Sequence, residues 1–417
     1  MARFAGNSSS RDLIGVLDIG TSKICCSIAD TTQDGERHLL GFGHQRSRGL
    51  KSGMIIDADE AERAVRSAVG QAERMAGVSL DRVVLSVSCG RIRSTSFAAR
   101  ADVEGPVVRD HDLGRILAGG EAYLDRASRS IIQLMRSDWR LDGASGIRDP
   151  RGLAGRELSI DLNAVTADDG PVRNLLGVIE RCHITVERMV AAPYASALAV
   201  VTEEERRLGV LVVELGAGLT SFAAFADGRL VHIDTVPVGG NHVTYDIARE
   251  LVTTVAEAER IKTLYGTLVS AASDDQEMIA YPIAGDDEGA LHQTSKAFVR
   301  DVLAPRITGL FGLIAERIED ADLGELASRR VVLTGGASQL LGLDQAWSQR
   351  FGCIVRIGRP QPIGHMPASM CSPAFSTVIG LMSIEAPALD EARSGAGSGR
   401  RERGYIDRMQ RWVRESF

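Results

Sequence analysis

The chain has no Cys-x-x-Cys pair among its six cysteines, no His-x-His or His-x-x-x-His spacing among its eight histidines, and no excess of positive charge. The first absence excludes a zinc ribbon or a dithiol redox site. Cys25 and Cys26 fall on opposite faces of one strand, and with Cys89, Cys182, Cys353 and Cys371 they read as buried thiols of a reducing compartment. The second leaves no frame for a histidine-bound metal. The formal charge of -7 argues against a general nucleic-acid binder, whose surface must neutralise phosphates. Long apolar runs are missing too. Met1 to Arg11 has no apolar core, and the run from Met189 to Val201 is broken by Pro193 and Tyr194, so neither a signal peptide nor a membrane span is expected.

What is present is an ordinary globular composition, 44% hydrophobic and 25% charged over 417 residues, enough for roughly two to four domains. One short phrase occurs twice. Asp18-Ile19-Gly20-Thr21-Ser22-Lys23 lies between the apolar runs Ile14 to Leu17 and Ile24 to Ala29; Glu214-Leu215-Gly216-Ala217-Gly218-Leu219-Thr220 lies between Val210 to Val213 and Ser221 to Phe225. Both read as a strand, a glycine turn and a second strand. A P-loop or dinucleotide fingerprint would need a helix after the glycines, so both are excluded. Two such hairpins suggest a chain built from two related halves.

Between and beyond the hairpins, the periodicity predicts a helix over Asp59 to Ala76 with Ala61, Ala64, Val65, Ala68, Val69 and Ala72 on one face. From Val83 to Val165 the texture changes to strands, a helix over Asp110 to Tyr123 and a Gly/Asp/Pro-rich loop, which reads as an inserted α+β unit. Helices are expected over Val172 to Glu180 and Pro193 to Glu205. The second half should continue with a helix ending at Gly266, a strand-rich segment from Thr267 to Pro282, and a helix from Thr294 to Ala321 that Pro305 kinks or splits. A third glycine turn, Gly335-Gly336-Ala337-Ser338, follows the strand at Val331.

The three turns make chemical sense together. Backbone N–H groups of tight glycine turns can surround phosphate oxygens, with Thr21, Ser22 and Thr220 as hydroxyl donors and Lys23 as a point charge. Asp18 is placed to hold the waters of a Mg²⁺ ion. Gly335 and Gly336 would let a base and ribose lie against the backbone, while Glu259 and Lys262, three apart on a helix, bracket them from the other side.

These segments, with Val236 to Ala248, Ala258 to Gly266 and Val331 to Leu343, resemble the successive nucleotide motifs of the actin-like superfamily. Their wording is similar to the FtsA family of bacterial cell-division proteins over nearly the whole chain. The resemblance implies an α/β, actin-like (ribonuclease H-like) two-lobed fold with an inserted small α+β subdomain and a C-terminal amphipathic helix. The implied divisions are subdomain 1A over 11–82 and 166–207, inserted subdomain 1C over 83–165, subdomain 2A over 208–241 and 322–385, and subdomain 2B over 242–321. A linker over 386–404 and a membrane-targeting helix over 405–417 follow. ATP with Mg²⁺ is the implied ligand. The implied nucleotide set adds Gly216, Ala217, Gly218, Gly239, Gly240, Ala337 and Ser338, with Glu214 as a second carboxylate near the metal. The chain departs from the family in the second hairpin, where Asp, three glycines and Thr-Thr-Asp are usual: it carries Glu214, Ala217, Leu219 and Ser221, and Tyr245 replaces a small polar residue. No general base is assigned, so a weak ATPase at most is expected.

The tail supplies a separate argument. A Gly/Ser-rich tether with a reach on the order of 20 to 25 Å precedes an amphipathic segment in which Ile406, Met409, Trp412, Val413 and Phe417 form one stripe. Arg408, Arg411 and Arg414 lie mostly elsewhere. At about 20 Å the segment is too short to span a bilayer and suits an anionic interface. With the resemblance, these features imply a peripheral protein on the cytoplasmic side of the inner membrane at the division septum. It would tether FtsZ filaments, assemble into its own polymer and meet later division proteins at the insert. Arg300 and Arg306 are implied at the site of the acidic FtsZ C-terminal peptide. Two alternatives stand beside this reading. A superfamily phosphotransferase would need a catalytic carboxylate at an acceptor pocket, and an actin-like pilus-assembly adaptor would bind a short transmembrane-protein peptide instead of FtsZ.

Overall fold

The computed structural model describes residues 12–32, 36–125, 129–287 and 289–384. Two five-stranded sheets organise it, and they are built to one plan. In the first, the strand Asp12–Ile19 pairs antiparallel with Lys23–Thr31, which pairs with Arg37–Arg46; on its other side it pairs parallel with Arg82–Val87, followed by Thr185–Ala191. In the second, Val210–Leu215 pairs antiparallel with Thr220–Ala226 and then Arg229–Val236, and parallel with Arg330–Thr334 and then Ile354–Ile357. Each glycine hairpin therefore supplies the centre of its sheet.

The strand Arg82–Val87 belongs to the first sheet by its pairing, although the sequence reading began the insert at 83. Val83, Val84 and Leu85 are buried among the first half's apolar residues, so this short run lacks the alternation of a strand with a wet face. Beyond it a four-stranded antiparallel sheet, Arg93–Asp102, Glu157–Asp168, Arg129–Leu141 and Ala144–Ile147, carries the helix Asp110–Asp125. This unit has its own core, including Trp139, Leu158, Ile160 and Leu162.

The helix Ala58–Ala76 buries the six residues that its period marks, starts on the Asp57 carboxylate and ends at Gly77 with φ of 70°. It lies so close to the first sheet that a Cβ at Gly43 would stand 2.0 Å from the Ala68 carbonyl oxygen. Other segments differ from expectation. The run after Pro193 forms two helices, Ala192–Val200 and Glu203–Leu208, because Thr202 and Glu205 make a capping box that starts the second. The segment before Gly266 also divides, into Gly240–Glu250 and Val255–Tyr265. From 267 to 282 the one strand described is Met278–Tyr281, paired with His292–Ser295. Thr294 accordingly sits in a strand, and Ser295 caps the helix Lys296–Asp320. That helix runs through Pro305 as one element, with Leu303, Ile307, Leu310 and Phe311 buried in the second core on either side.

Candidate functional site

The two repeated turns close in the same way. In the first, the Gly20 N–H donates to the Lys23 carbonyl at 3.0 Å; in the second, Gly216 donates to Leu219 at 2.9 Å. Both tips face a cleft of about 720 Å³ lined by both halves of the chain, a size ordinary for a small-molecule site. The start of the helix Gly240–Glu250 braces the second tip, since Gly240 and Asn241 donate to the carbonyls of Gly216 and Ala217 at 2.9 and 2.7 Å. Small residues are required there. A Cβ at Gly239 would lie 2.6 Å from the Gly216 carbonyl oxygen, and one at Gly335, where φ is 87°, 2.5 Å from that of Leu215.

Two carboxylates stand in this cleft, one from each hairpin. Asp18 accepts the Ser86 hydroxyl at 2.6 Å, and Glu214 accepts that of Thr377 at 2.5 Å. Burial pushes both groups up from the usual carboxylate range. Glu214 reaches about 7, with Asp18's charge adding to the effect of burial and the Thr377 bond and Lys23 opposing it. Two desolvated acids beside one ammonium form an oxygen-rich site suited to a hard cation.

Lys262 and Glu259 meet at 2.6 Å on the wall contributed by Val255–Tyr265. The Lys262 ammonium also donates to the Gly240 carbonyl and to Thr244 Oγ1, at 3.2 and 2.8 Å. The spacing three apart thus produces a joined pair fixed to the helix opposite.

Of the residues expected at the nucleotide and metal, all line the cleft except Ser338. Ser338 is buried, and its hydroxyl turns back to the Gly335 carbonyl at 2.8 Å, the same oxygen that its N–H meets at 3.2 Å at the start of a 3₁₀ turn. Thr220 lines the cleft, but its hydroxyl donates to the Val238 carbonyl at 2.7 Å and is not a spare donor. Lys23 extends its ammonium over the Phe375 ring, 4.5 Å from the centroid. Ser86, Thr377 and Phe375 were not found from sequence. Ser86 is one hydroxyl in an apolar strand and Thr377 one of two at the start of an apolar helix, so neither carries a local signal.

The two arginines expected to meet an acidic peptide are already paired. Arg306 binds Asp246 through two nitrogens at 2.6 and 2.9 Å, while Arg300 meets Asp274 and Asp301, each at 3.1 Å, and Ser270 at 2.9 Å. Arg306 borders a groove of about 710 Å³ with half-exposed Phe298 and Leu313. The tether and the stripe from Ile406 to Phe417 lie outside the described residues. Among the described residues no helix is long and apolar enough to cross a membrane.

Two sheets of one plan, each presenting a glycine hairpin to a shared cleft, define an actin-like protein. Solved structures bear out the fold. A chain of the PilM–PilN type IV pilus biogenesis complex matches with a TM-score of 0.62 at 16% identity, over 88% of this chain and 97% of that one. MreB5 of Spiroplasma citri bound to ADP matches at 0.56 and 14% identity, over 93% and 99%. Sequence relationship goes further. The family described as cell division protein FtsA matches residues 211–380, and the SHS2 domain inserted in FTSA matches 89–166. Cell division protein FtsA of Rhizobium meliloti is 39% identical over 425 residues, covering 98% of this chain and 96% of that protein. The Escherichia coli K12 protein of that name is 28% identical, covering 98% and 99%. The chain belongs to the FtsA family and is an actin-like cell-division protein.

Proposed function

We propose that the chain binds ATP with Mg²⁺ in the cleft between its halves and links FtsZ filaments to the cytoplasmic face of the membrane. The observation that carries the nucleotide reading is the convergence of the turns at Gly20, Gly216 and Gly335 on one cleft with Asp18 and Glu214. The turns at Gly20 and Gly216 would hold the phosphates. Asp18 and Glu214 would hold the waters of the metal, which supplies a hard positive charge against the phosphate oxygens. The Glu259–Lys262 pair and Gly336 would take the ribose and base. Glu214 and Ser221 make this a site for holding nucleotide more than for turning it over.

Attachment rests on the tail. Partial burial of Ile406, Met409, Trp412, Val413 and Phe417, with roughly 1 kcal/mol from each nearby arginine, suffices for reversible binding and for more when many tails act together. The Phe298–Leu313 groove beside Arg306 is the proposed seat of the FtsZ peptide; its acidic groups must displace Asp246 from the guanidinium. Self-assembly and docking of later division proteins at the insert complete the proposal.

Flotation tests the attachment directly. With anionic vesicles, ATP and Mg²⁺, FtsZ is expected to float when this protein is added and to sink without it, and Trp412→Glu should abolish flotation while leaving the fold intact. If the protein floats and FtsZ stays behind, the partner is wrong and a pilus-type adaptor gains ground. Retained flotation of the Trp412→Glu variant defeats the role of the tail.

A further inference from the structure

At the end of the cleft bounded by the two glycine hairpins, the halves touch through protein atoms. A Cβ at Gly218 would lie 2.7 Å from Thr21 Oγ1 and 2.9 Å from the Ser52 Cα. One at Gly53 would lie 3.2 Å from both Leu219 Cδ1 and Ser88 Oγ. The tip of the second hairpin is thus seated in a socket made by the first hairpin, the turn at Ser52 and Gly53, and Ser88. The socket is itself held in shape: the Gly53 N–H donates to Thr21 Oγ1 at 2.9 Å, and Ser52 and Gly53 have φ of 47° and 76°. Leu219, half-buried, is the large apolar group at that tip.

We infer that Leu219 is a positioning residue that latches the two halves at the phosphate end of the cleft and sets the rate at which nucleotide enters and leaves. The inference rests on the ATP reading and adds the kinetics of the same site. The physical reason lies in which contacts opening must break. To admit or release a triphosphate the hairpin tips must separate, which draws Leu219, a residue that also lines the cleft, out of its seat against Gly53 and exposes the covered part of an apolar side chain to water. A small or polar residue at 219 would present no such barrier. Because the latch joins protein to protein, it slows opening for entry and for exit alike. Its loss therefore changes both rates by one factor and leaves their ratio nearly untouched, whereas loss of a phosphate contact would weaken affinity.

Stopped-flow measurement with a fluorescent ATP analogue and Mg²⁺, on the full chain, separates these cases. Leu219→Ala is expected to raise association and dissociation rates each by about tenfold, with Kd within about twofold of the unaltered protein, while Leu219→Met stays close to it. Gly53→Ala adds a carbon that faces both Leu219 and Ser88 on a left-handed backbone; the share of its rate change that arises at Leu219 should disappear in the Leu219→Ala background, a coupling that general damage to the fold would not produce. An unchanged dissociation rate overturns the latch, and so does a Kd that weakens in step with dissociation, which would make Leu219 a ligand contact. Both results leave nucleotide binding standing. Failure of the unaltered protein to bind the analogue at any concentration overturns the ATP reading and the latch together.

Discussion

Glu214 is an acid held where acids are least stable. Its ordinary pKa of 4.5 rises to about 7 in the folded chain, so the folded state binds a proton more tightly than the unfolded one. The sign follows from linkage: stability is undiminished below pH 4.5, falls as pH rises, and is fully reduced above pH 7, by roughly 3 kcal/mol. In Mg²⁺-free buffer the stability of Glu214→Gln relative to the unaltered protein is therefore expected to grow between pH 5 and 8. Urea unfolding at several pH values measures it, and a constant difference would show that the carboxyl is solvated. Added Mg²⁺ and ATP should reverse part of the effect, because a cation favours the ionised form. The carboxylates at 18 and 214 were legible because each precedes a glycine turn. Their desolvation was not, since it depends on how segments distant in the chain pack around them, the same packing that brings the Ser86 and Thr377 hydroxyls to oppose it.

The longer elements read well where one face alone is buried. The helix Ala58–Ala76 shows its six buried residues at helical spacing, and the paired strands of both hairpins end within a residue or two of where their apolar runs end. Reading failed where burial is two-sided or capping is local: the strand Arg82–Val87 reads as the start of the insert although it pairs in the first sheet, and the break at Thr202 depends on a three-residue reciprocal bond. The glycines tell a related story. Gly380 lies in the helix Ser376–Ser383, where it costs helix propensity, and a Cβ there would stand 1.7 Å from the Ala195 carbonyl oxygen of Ala192–Val200. Gly380→Ala should destabilise the chain by roughly 3 kcal/mol, since the two helices must separate to admit a methyl group. An unfolding free energy that falls by less than about 1 kcal/mol would mean that the helices slide freely.

The halves are joined by more than the cleft. The insert, which follows the first half's strand Arg82–Val87, is tied to the second half: the Ser94 hydroxyl accepts the Ile233 N–H at 2.8 Å, and the Asn163 amide donates to the Val231 carbonyl at 2.9 Å. The strand so gripped, Arg229–Val236, leads directly to Gly239 in the cleft. A ligand bridging both halves should therefore stabilise them together. At a hundredfold excess over Kd, ATP with Mg²⁺ is expected to add about 2.7 kcal/mol and to move the whole calorimetric transition upward. A transition that splits, with one part unmoved, would place the ligand on one half. From the residues alone came the doubling of the hairpin, the inserted unit and the acids and glycines of the cleft, because each is written in a contiguous pattern of apolar runs and turns. Only the tertiary structure decided that Thr220 and Ser338 spend their hydroxyls on carbonyls, that Arg300 and Arg306 are already paired, and that Leu219 reaches Gly53. All but the Ser338 bond, which turns back three residues, join segments distant in the chain, and a local pattern carries no record of which distant atom completes it.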